Sequence, residues 1–321
     1  VLVAAAQLAP AGVAVLDAAG AEVVYAATPA DGERLLASIA FDAVISRVAP
    51  LTGAMIASCP SLRVIAKHGV GVNNIDLAEA TRRGIPVYTT PGANAASVAE
   101  LTIGLMLALA RRIPWLDAEV RAGRWPGGAQ GVQLGGRRLG LVGLGDIGTR
   151  VALAAQALGM AVHGLRRAGA RPAPPGVTLH DTLPALLAQS DVLSLHLPLT
   201  EATRGLVGAP ELALLPPGAL LVNTARGEIV DEPALVAALR SGALAGAALD
   251  ALSQEPLPAG HVLTTLPTVL LTPHIGGATS AALAAMAETA ARQLLDHLAG
   301  RPIEASRCAN PTVLGARFSP A

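Results

Sequence analysis

The run Gly143-Leu144-Gly145-Asp146-Ile147-Gly148 constrains this chain more than any other feature, because three glycines at that spacing point to a phosphate loop when they stand between a strand and a helix. The flanks supply both: Arg138–Val142 reads as a strand, and residues 147–158 read as a helix closed by Gly159. In that setting Gly143 permits the tight turn, Gly145 lets the backbone approach a pyrophosphate, and Gly148 lets the helix pack close to the strand. The first N–H groups of the helix, around Asp146 and Ile147, then face the anion. A dinucleotide-binding β-α-β unit is expected.

About twenty residues further on, a site that prefers NAD offers a carboxylate to the ribose 2′-hydroxyl at the end of the next strand. This chain offers Arg166 and Arg167. A guanidinium pairs with a 2′-phosphate in bidentate fashion and stacks beside adenine, so NADP(H) is expected as the preferred cofactor, with NAD(H) left open.

Composition narrows the function classes. Lys+Arg and Asp+Glu both number 23, so no net basic field exists to hold a phosphate backbone, and nucleic-acid binding is not expected. With 52% hydrophobic but only 2% aromatic residues, packing relies on small aliphatic side chains, which suits helices laid on parallel sheets. The longest apolar stretch, 101–110, is about half of what a membrane span needs. The start at Val1 resembles a strand more than a signal peptide. Cys59 and Cys308 form no CxxC and no ladder of spacings, and the histidines show no HExxH, so neither a disulfide scaffold nor a metal is expected, and a reducing cytoplasm fits.

Short apolar strands alternate with helical patterns from the first residue: 1–6, 22–26, 43–46, 64–66 and 87–88, separated by helices such as 30–39 and 74–83. A long apolar helix at 97–112, stopped by Pro114, and a glycine-rich passage at 123–136 lead into a second series. Its six strands lie near 139–142, 161–165, 192–195, 219–222, 246–250 and 269–271. A last helix, roughly 280–298, is left over and is expected to pack back on the first domain. The fold class expected is α/β: two doubly wound parallel-sheet domains, with a Rossmann NAD(P)-binding domain (92–284) inserted into a flavodoxin-like substrate domain (1–91 and 285–321).

Arg226, Glu255 and His274 each follow a strand of the second series, inside Asn-Thr-Ala-Arg-Gly-Glu, Asp-Ala-Leu-Ser-Gln-Glu-Pro and Thr-Pro-His-Ile-Gly-Gly. Ligands of open parallel sheets bind beyond the carboxyl ends of strands, so the three can converge on one crevice.

These motifs carry a resemblance. Residues 139–148, 223–234 with their Ala-Arg-Gly-Glu-Ile-Val-Asp core, 250–256 and 272–279 are similar, in order, to the signature motifs of the D-isomer-specific 2-hydroxyacid dehydrogenases. Residues 67–76 and 91–105 extend the similarity over nearly the whole chain. The resemblance implies an oxidoreductase moving a hydride between NAD(P)H and a small 2-keto or D-2-hydroxy acid. It implies Arg226 as carboxylate clamp, His274 as proton donor, and Glu255 as the acid that orients the imidazole and favours its protonated form. It also implies that Gly69, Val70 and Gly71 present N–H groups to the substrate. Asn223, Thr224, Ala225, Asp250 and Gly276 would line the nicotinamide side, and His196, Pro198 and Thr203 the adenosine or ribose side. Lys67 and His68, next to the substrate turn, could contact a substrate hydroxyl or phosphate. The family's dimers suggest a homodimer sharing the 97–112 helix.

Within the family, the arginine pair favours an NADPH-using glyoxylate or hydroxypyruvate reductase. D-3-phosphoglycerate dehydrogenase is the alternative, carried by 67–76 and 91–102. Formate enzymes typically have Gln where Glu255 stands. A corepressor-like protein that senses NAD(H) is the rival from another class.

Overall fold

The computed structural model describes residues 1–128, 130–165 and 172–318. They form two compact units: residues up to Asn94 together with those from Gly277 onward, and Ala95–Gly276 between them in sequence. Arg166 and Arg167 lie outside the described residues.

The first unit runs β1 (Leu2–Ala4), α1 (Pro10–Ala18), β2 (Val24–Tyr25), α2 (Pro29–Ser38), β3 (Ala43–Ser46), α3 (Gly53–Ala57), β4 (Val64–Lys67), α4 (Leu77–Arg82) and β5 (Val87–Tyr88). The five strands pair in parallel in the order β2-β1-β3-β4-β5. Strands β3 and β4 are buried along their whole length, as strands covered on both faces must be. Start signals explain the helix boundaries: Thr28 and Asp31 make a reciprocal capping box on α2, and Asp76 caps α4 through the Glu79 amide.

The second unit contains α5 (Ala95–Ala110), α6 (Ile113–Arg121), β6 (Arg138–Val142), α7 (Asp146–Ala157), β7 (Ala161–Leu165), β8 (Thr178–His180), α8 (Leu183–Leu187), β9 (Val192–Leu195), α9 (Ala209–Leu212), β10 (Ala219–Asn223), α10 (Glu232–Ser241), β11 (Leu244–Leu249) and β12 (Val269–Leu271). Its seven strands are all parallel, in the order β12-β11-β10-β9-β6-β7-β8. Strand β8 is the addition to the six expected. It is a half-exposed edge strand of three residues, too short for an apolar run to announce it.

Pro114 does not stop the long apolar helix. Helix α5 ends at Ala110, Arg112 turns the chain at φ 55°, and Pro114 sits in the first turn of α6, where its missing N–H costs nothing. The Arg112 guanidinium lies 4.2 Å from the Trp115 ring centre. Helix α5 buries Ala99, Leu105, Met106 and Ala110 in the core that also holds Leu139, Leu141 and Val151. Truncating Leu141 to Ala there costs roughly 3 kcal/mol.

The final helix, α11 (Ser280–Leu298), belongs wholly to the first unit, packed on α1 and β4. A Cβ on Gly12 would come 2.8 Å from the Ala287 Cβ, so α1 and α11 meet at backbone distance. That contact carries the helix as one body. The chain passes between the two compact units at 94/95 and again at the Gly276-Gly277 pair, just before this helix.

Candidate active site

Strands β10, β11 and β12 lie side by side, and their register brings Asn223, Leu249 and Leu271 level at the carboxyl edge of the second unit's sheet. Arg226 leaves the edge after β10, Glu255 after β11 and His274 after β12. Topology thus delivers three residues separated in sequence to adjacent loops.

His274 Nδ1 is 2.8 Å from Glu255 Oε2 and 3.1 Å from Oε1, and Oε1 also accepts from the Leu252 amide at 2.9 Å. Burial pushes the Glu255 carboxyl up. The His274 hydrogen bond, the Leu252 N–H and the charges of His274 and Arg226 outweigh it, so the group ends below its ordinary value and is ionised at neutral pH. With Nδ1 engaged, Nε2 is the nitrogen available to a substrate.

Arg226 is largely buried, which lowers its pKa, while Glu255 and Glu228 pull it back up. An arginine side chain loses its proton only far above neutral pH, so the guanidinium stays charged. Its turn is braced from within: Asn223 Nδ2 donates to the Arg226 carbonyl at 2.8 Å, Asn223 Oδ1 accepts from Ala225 N at 3.0 Å, and Arg226 Nη1 donates to the Ala225 carbonyl at 2.6 Å. Thr224, buried, bonds the Thr102 hydroxyl at 2.9 Å.

His274 has φ 54°, a left-handed conformation that a non-glycine residue keeps only when its surroundings impose it. Asp250 imposes it. Its buried carboxylate accepts from Thr272 Oγ1 at 2.6 Å, Ile275 N at 2.8 Å and Gly276 N at 2.9 Å, so the loop is held on both sides of the histidine. No motif spacing announces the part played by Thr272, which acts through a contact between loops, whereas Leu252 holds Glu255 from three residues earlier in the same loop.

The glycine turn fits a dinucleotide phosphate. Gly143 has φ 108°, and a Cβ there would overlap the His196 carbonyl; a Cβ on Gly148 would overlap the Gly143 carbonyl. At Gly145 a Cβ would meet nothing within 4 Å, which leaves open space in front of the turn, and no side chain caps the α7 start formed by Asp146, Ile147 and Gly148. Behind the turn lies the His196 ring. Its Nε2 bonds Ser194 Oγ at 2.9 Å, its Nδ1 is buried without a partner, and burial pushes its pKa down to about 4, so it is neutral. Thr203 Oγ1 donates to the Pro198 carbonyl at 2.7 Å and shapes the loop after β9.

In the first unit, Gly69 has φ 131° and its N–H donates to Thr90 Oγ1 at 3.0 Å. Of the three amides expected to reach a carboxylate, Gly69's is thus engaged within the unit, and Thr90 is the unforeseen residue that holds the turn. Lys67 is engaged too: its buried ammonium donates to Asn74 Oδ1 at 2.6 Å and to the Arg47 carbonyl. His68 Nε2 lies 3.2 Å from the Leu283 carbonyl, and burial with the Arg47 charge pushes its pKa down to about 4. Among the described residues no three metal-ligating side chains cluster, and no helix is long and apolar enough to cross a membrane.

The chain is similar to several known proteins. Residues 103–276 match the model of the D-isomer specific 2-hydroxyacid dehydrogenase, NAD binding domain. A glyoxylate reductase of Thermofilum pendens is 43% identical over 251 residues, 76% of this chain and 74% of that protein. A D-3-phosphoglycerate dehydrogenase of Methanocaldococcus jannaschii is 41% identical over 257 residues, 79% of this chain but only 49% of that longer protein. The crystal structure of an NADPH-dependent glyoxylate/hydroxypyruvate reductase from Sinorhizobium meliloti, in complex with NADP and malonate, superposes with a TM-score of 0.80 at 31% identity, covering 92% of each chain.

Proposed function

Because the chain belongs to the D-isomer specific 2-hydroxyacid dehydrogenase family, we propose that it reduces small 2-keto acids of the glyoxylate and hydroxypyruvate type, with NADPH as its preferred reductant. The observation that carries the reaction class is the pair of Glu255 and His274 on the loop edge that also bears Arg226.

When bound, the nicotinamide supplies a hydride that no side chain can supply. Gly143, Gly145 and Gly148 with the α7 start would hold the pyrophosphate, and Asn223, Thr224, Ala225, Asp250 and Gly276 would line the nicotinamide side. Arg226 binds the substrate carboxylate through its two-pronged fork. As C2 is reduced, His274 Nε2 gives its proton to the developing alkoxide, and Nδ1–H stays with Glu255, whose charge favours the imidazolium beforehand. The product is the 2-hydroxy acid, and each turnover consumes one proton and one hydride.

The first unit supplies the substrate domain in this proposal, with the amides of Val70 and Gly71 as the donors left at its turn. Preference for NADPH rests on Arg166 and Arg167 and accords with the cofactor named for the Sinorhizobium relative. A homodimer is proposed as the working form, because Ile113, Val120 and Trp125 leave apolar surface exposed on and after α6, with Trp125 85% exposed. A cytoplasmic setting accords with two free cysteines.

The D-3-phosphoglycerate dehydrogenase relative favours a second reading, oxidation of a phosphorylated hydroxy acid. Steady-state rates with NADPH and NADH against glyoxylate, hydroxypyruvate and 3-phosphohydroxypyruvate decide between them. The proposal expects the highest kcat/KM with NADPH and one of the unphosphorylated acids. Dominance of 3-phosphohydroxypyruvate would establish the second.

A further inference from the structure

Glu255 stands on a loop, residues 250–261, that contains no helix or strand, so something outside the loop must place it. Two contacts do so, and both end on one carboxylate that the chemistry does not use. Glu232, the first residue of α10, accepts from Ser253 Oγ at 2.7 Å through Oε2, and its Oε1 lies 3.0 Å from His261 Nε2. His261 Nδ1 accepts from the Leu263 amide at 3.4 Å, so Nε2 carries the hydrogen and donates to Glu232. The Glu232 and His261 side chains are only 22% and 20% exposed, which strengthens a charge-assisted bond.

The loop is also fixed from the Arg226 side. A Cβ on Gly227 would overlap the backbone of Leu252 and Ser253, so the turn that carries Arg226 rests backbone to backbone on the root of the Glu255 loop. Leu252 N–H then holds Glu255 Oε1. Gly227 sets how close the two loops come, and Glu232 ties Ser253 on one side of Glu255 and His261 on the other.

We propose that Glu232 is a positioning residue for catalysis: through Ser253 and His261 it holds the 250–261 loop so that the Glu255 carboxylate stays on His274. This rests on the reductase function proposed above and adds to it a residue that touches neither substrate nor cofactor.

The test combines kinetics with hydrogen exchange on the whole chain. Glu232→Ala should lower kcat for 2-keto acid reduction on the order of 10- to 100-fold, the scale of a small misplacement of a catalytic group, and leave the cofactor dissociation constant unchanged. Glu232→Gln, which keeps an acceptor for one of its two partners, should fall between. The double variant Glu232→Ala/Glu255→Ala should be no slower than Glu255→Ala alone, and the pH–rate profile of Glu232→Ala should take the shape of the Glu255→Ala profile. A purely structural loss multiplies instead, and multiplied losses would overturn the proposal. Amide exchange in residues 251–259 should quicken in Glu232→Ala and, more mildly, in Ser253→Ala, which removes one exposed hydroxyl and leaves α10 intact. Unchanged exchange in both overturns the proposal whatever the kinetics show. Should the wild-type protein reduce none of the 2-keto acids, the proposed function fails, and exchange still decides whether Glu232 holds the loop.

Discussion

Asp250 holds His274 without touching its ring: the carboxylate takes the Thr272 hydroxyl before the histidine and the Ile275 and Gly276 amides after it, and so fixes a backbone at φ 54°. Asp250→Asn keeps the shape but turns one acceptor into a donor against N–H groups that cannot move away. A loss of about 1–3 kcal/mol in unfolding free energy is expected, together with reduced kcat. Denaturant titration and steady-state kinetics on one preparation check both.

His274→Ala removes the proposed proton donor and leaves the glycine turn untouched. Turnover should fall by on the order of 100-fold or more, with cofactor affinity nearly unchanged by fluorescence titration. Glu255→Gln should fall less, about tenfold, because the amide can still orient the ring but brings no charge to favour the imidazolium. Wild-type turnover in His274→Ala would remove the histidine from its assigned role.

Gly145 and Gly148 make opposite predictions. A Cβ at Gly145 meets nothing within 4 Å in the protein, so Gly145→Ala should melt like the wild type yet bind the cofactor at least about tenfold more weakly, because the methyl stands where a pyrophosphate would lie. Gly148→Ala drives a methyl into the Gly143 carbonyl and should destabilise the fold itself by roughly 1–3 kcal/mol. Thermal melts with and without NADPH separate the two effects.

Cofactor choice is tested by Arg166→Asp combined with Arg167→Ala. Loss of the guanidinium partners should weaken NADPH binding much more than NADH binding, by on the order of 1.5–3 kcal/mol for a charged hydrogen-bonded pair. Equal losses in the two dissociation constants would detach the preference from these arginines.

Acid stability follows from two buried histidines. Burial pushes both His196 and His68 down to about 4, with the Arg47 charge adding to the effect at His68, whereas the unfolded chain titrates them near 6.5. Between those values the unfolded state binds more protons, so stability rises with pH; the contribution is complete above 6.5 and is lost as pH falls toward 4. Each site accounts for at most about 3 kcal/mol. The urea midpoint should be flat above pH 7 and fall steadily below 6.5, and a His196→Asn variant should show a shallower fall. A midpoint constant from pH 7 to 4.5 would contradict this.

The glycine spacing, the alternation of apolar strands with helices and the order of the four motifs determine the reaction class, the parallel sheets and the three residues proposed as catalytic, because each is a local pattern with a local physical cause. Backbone freedom at Gly143, apolar runs at β9 and β10, and charged residues just past strand ends are all written over a few neighbouring positions. What the chain does around those residues was decided only by the tertiary structure. The left-handed backbone of His274 depends on Asp250, the Gly69 amide is taken by Thr90, and Lys67 is spent on Asn74. Each joins segments that sequence distance does not relate. The edge strand β8 and the helix start at Pro114 were hidden for a different reason: three half-exposed residues carry no apolar period, and proline is compatible with both the end and the first turn of a helix. The Glu255 loop belongs with the first group. Glu255 is legible as an acid beside a histidine, but its place above the sheet depends on Gly227 having no side chain and on Glu232 reaching Ser253, and contacts of that kind exist only once the strands have brought the loops together.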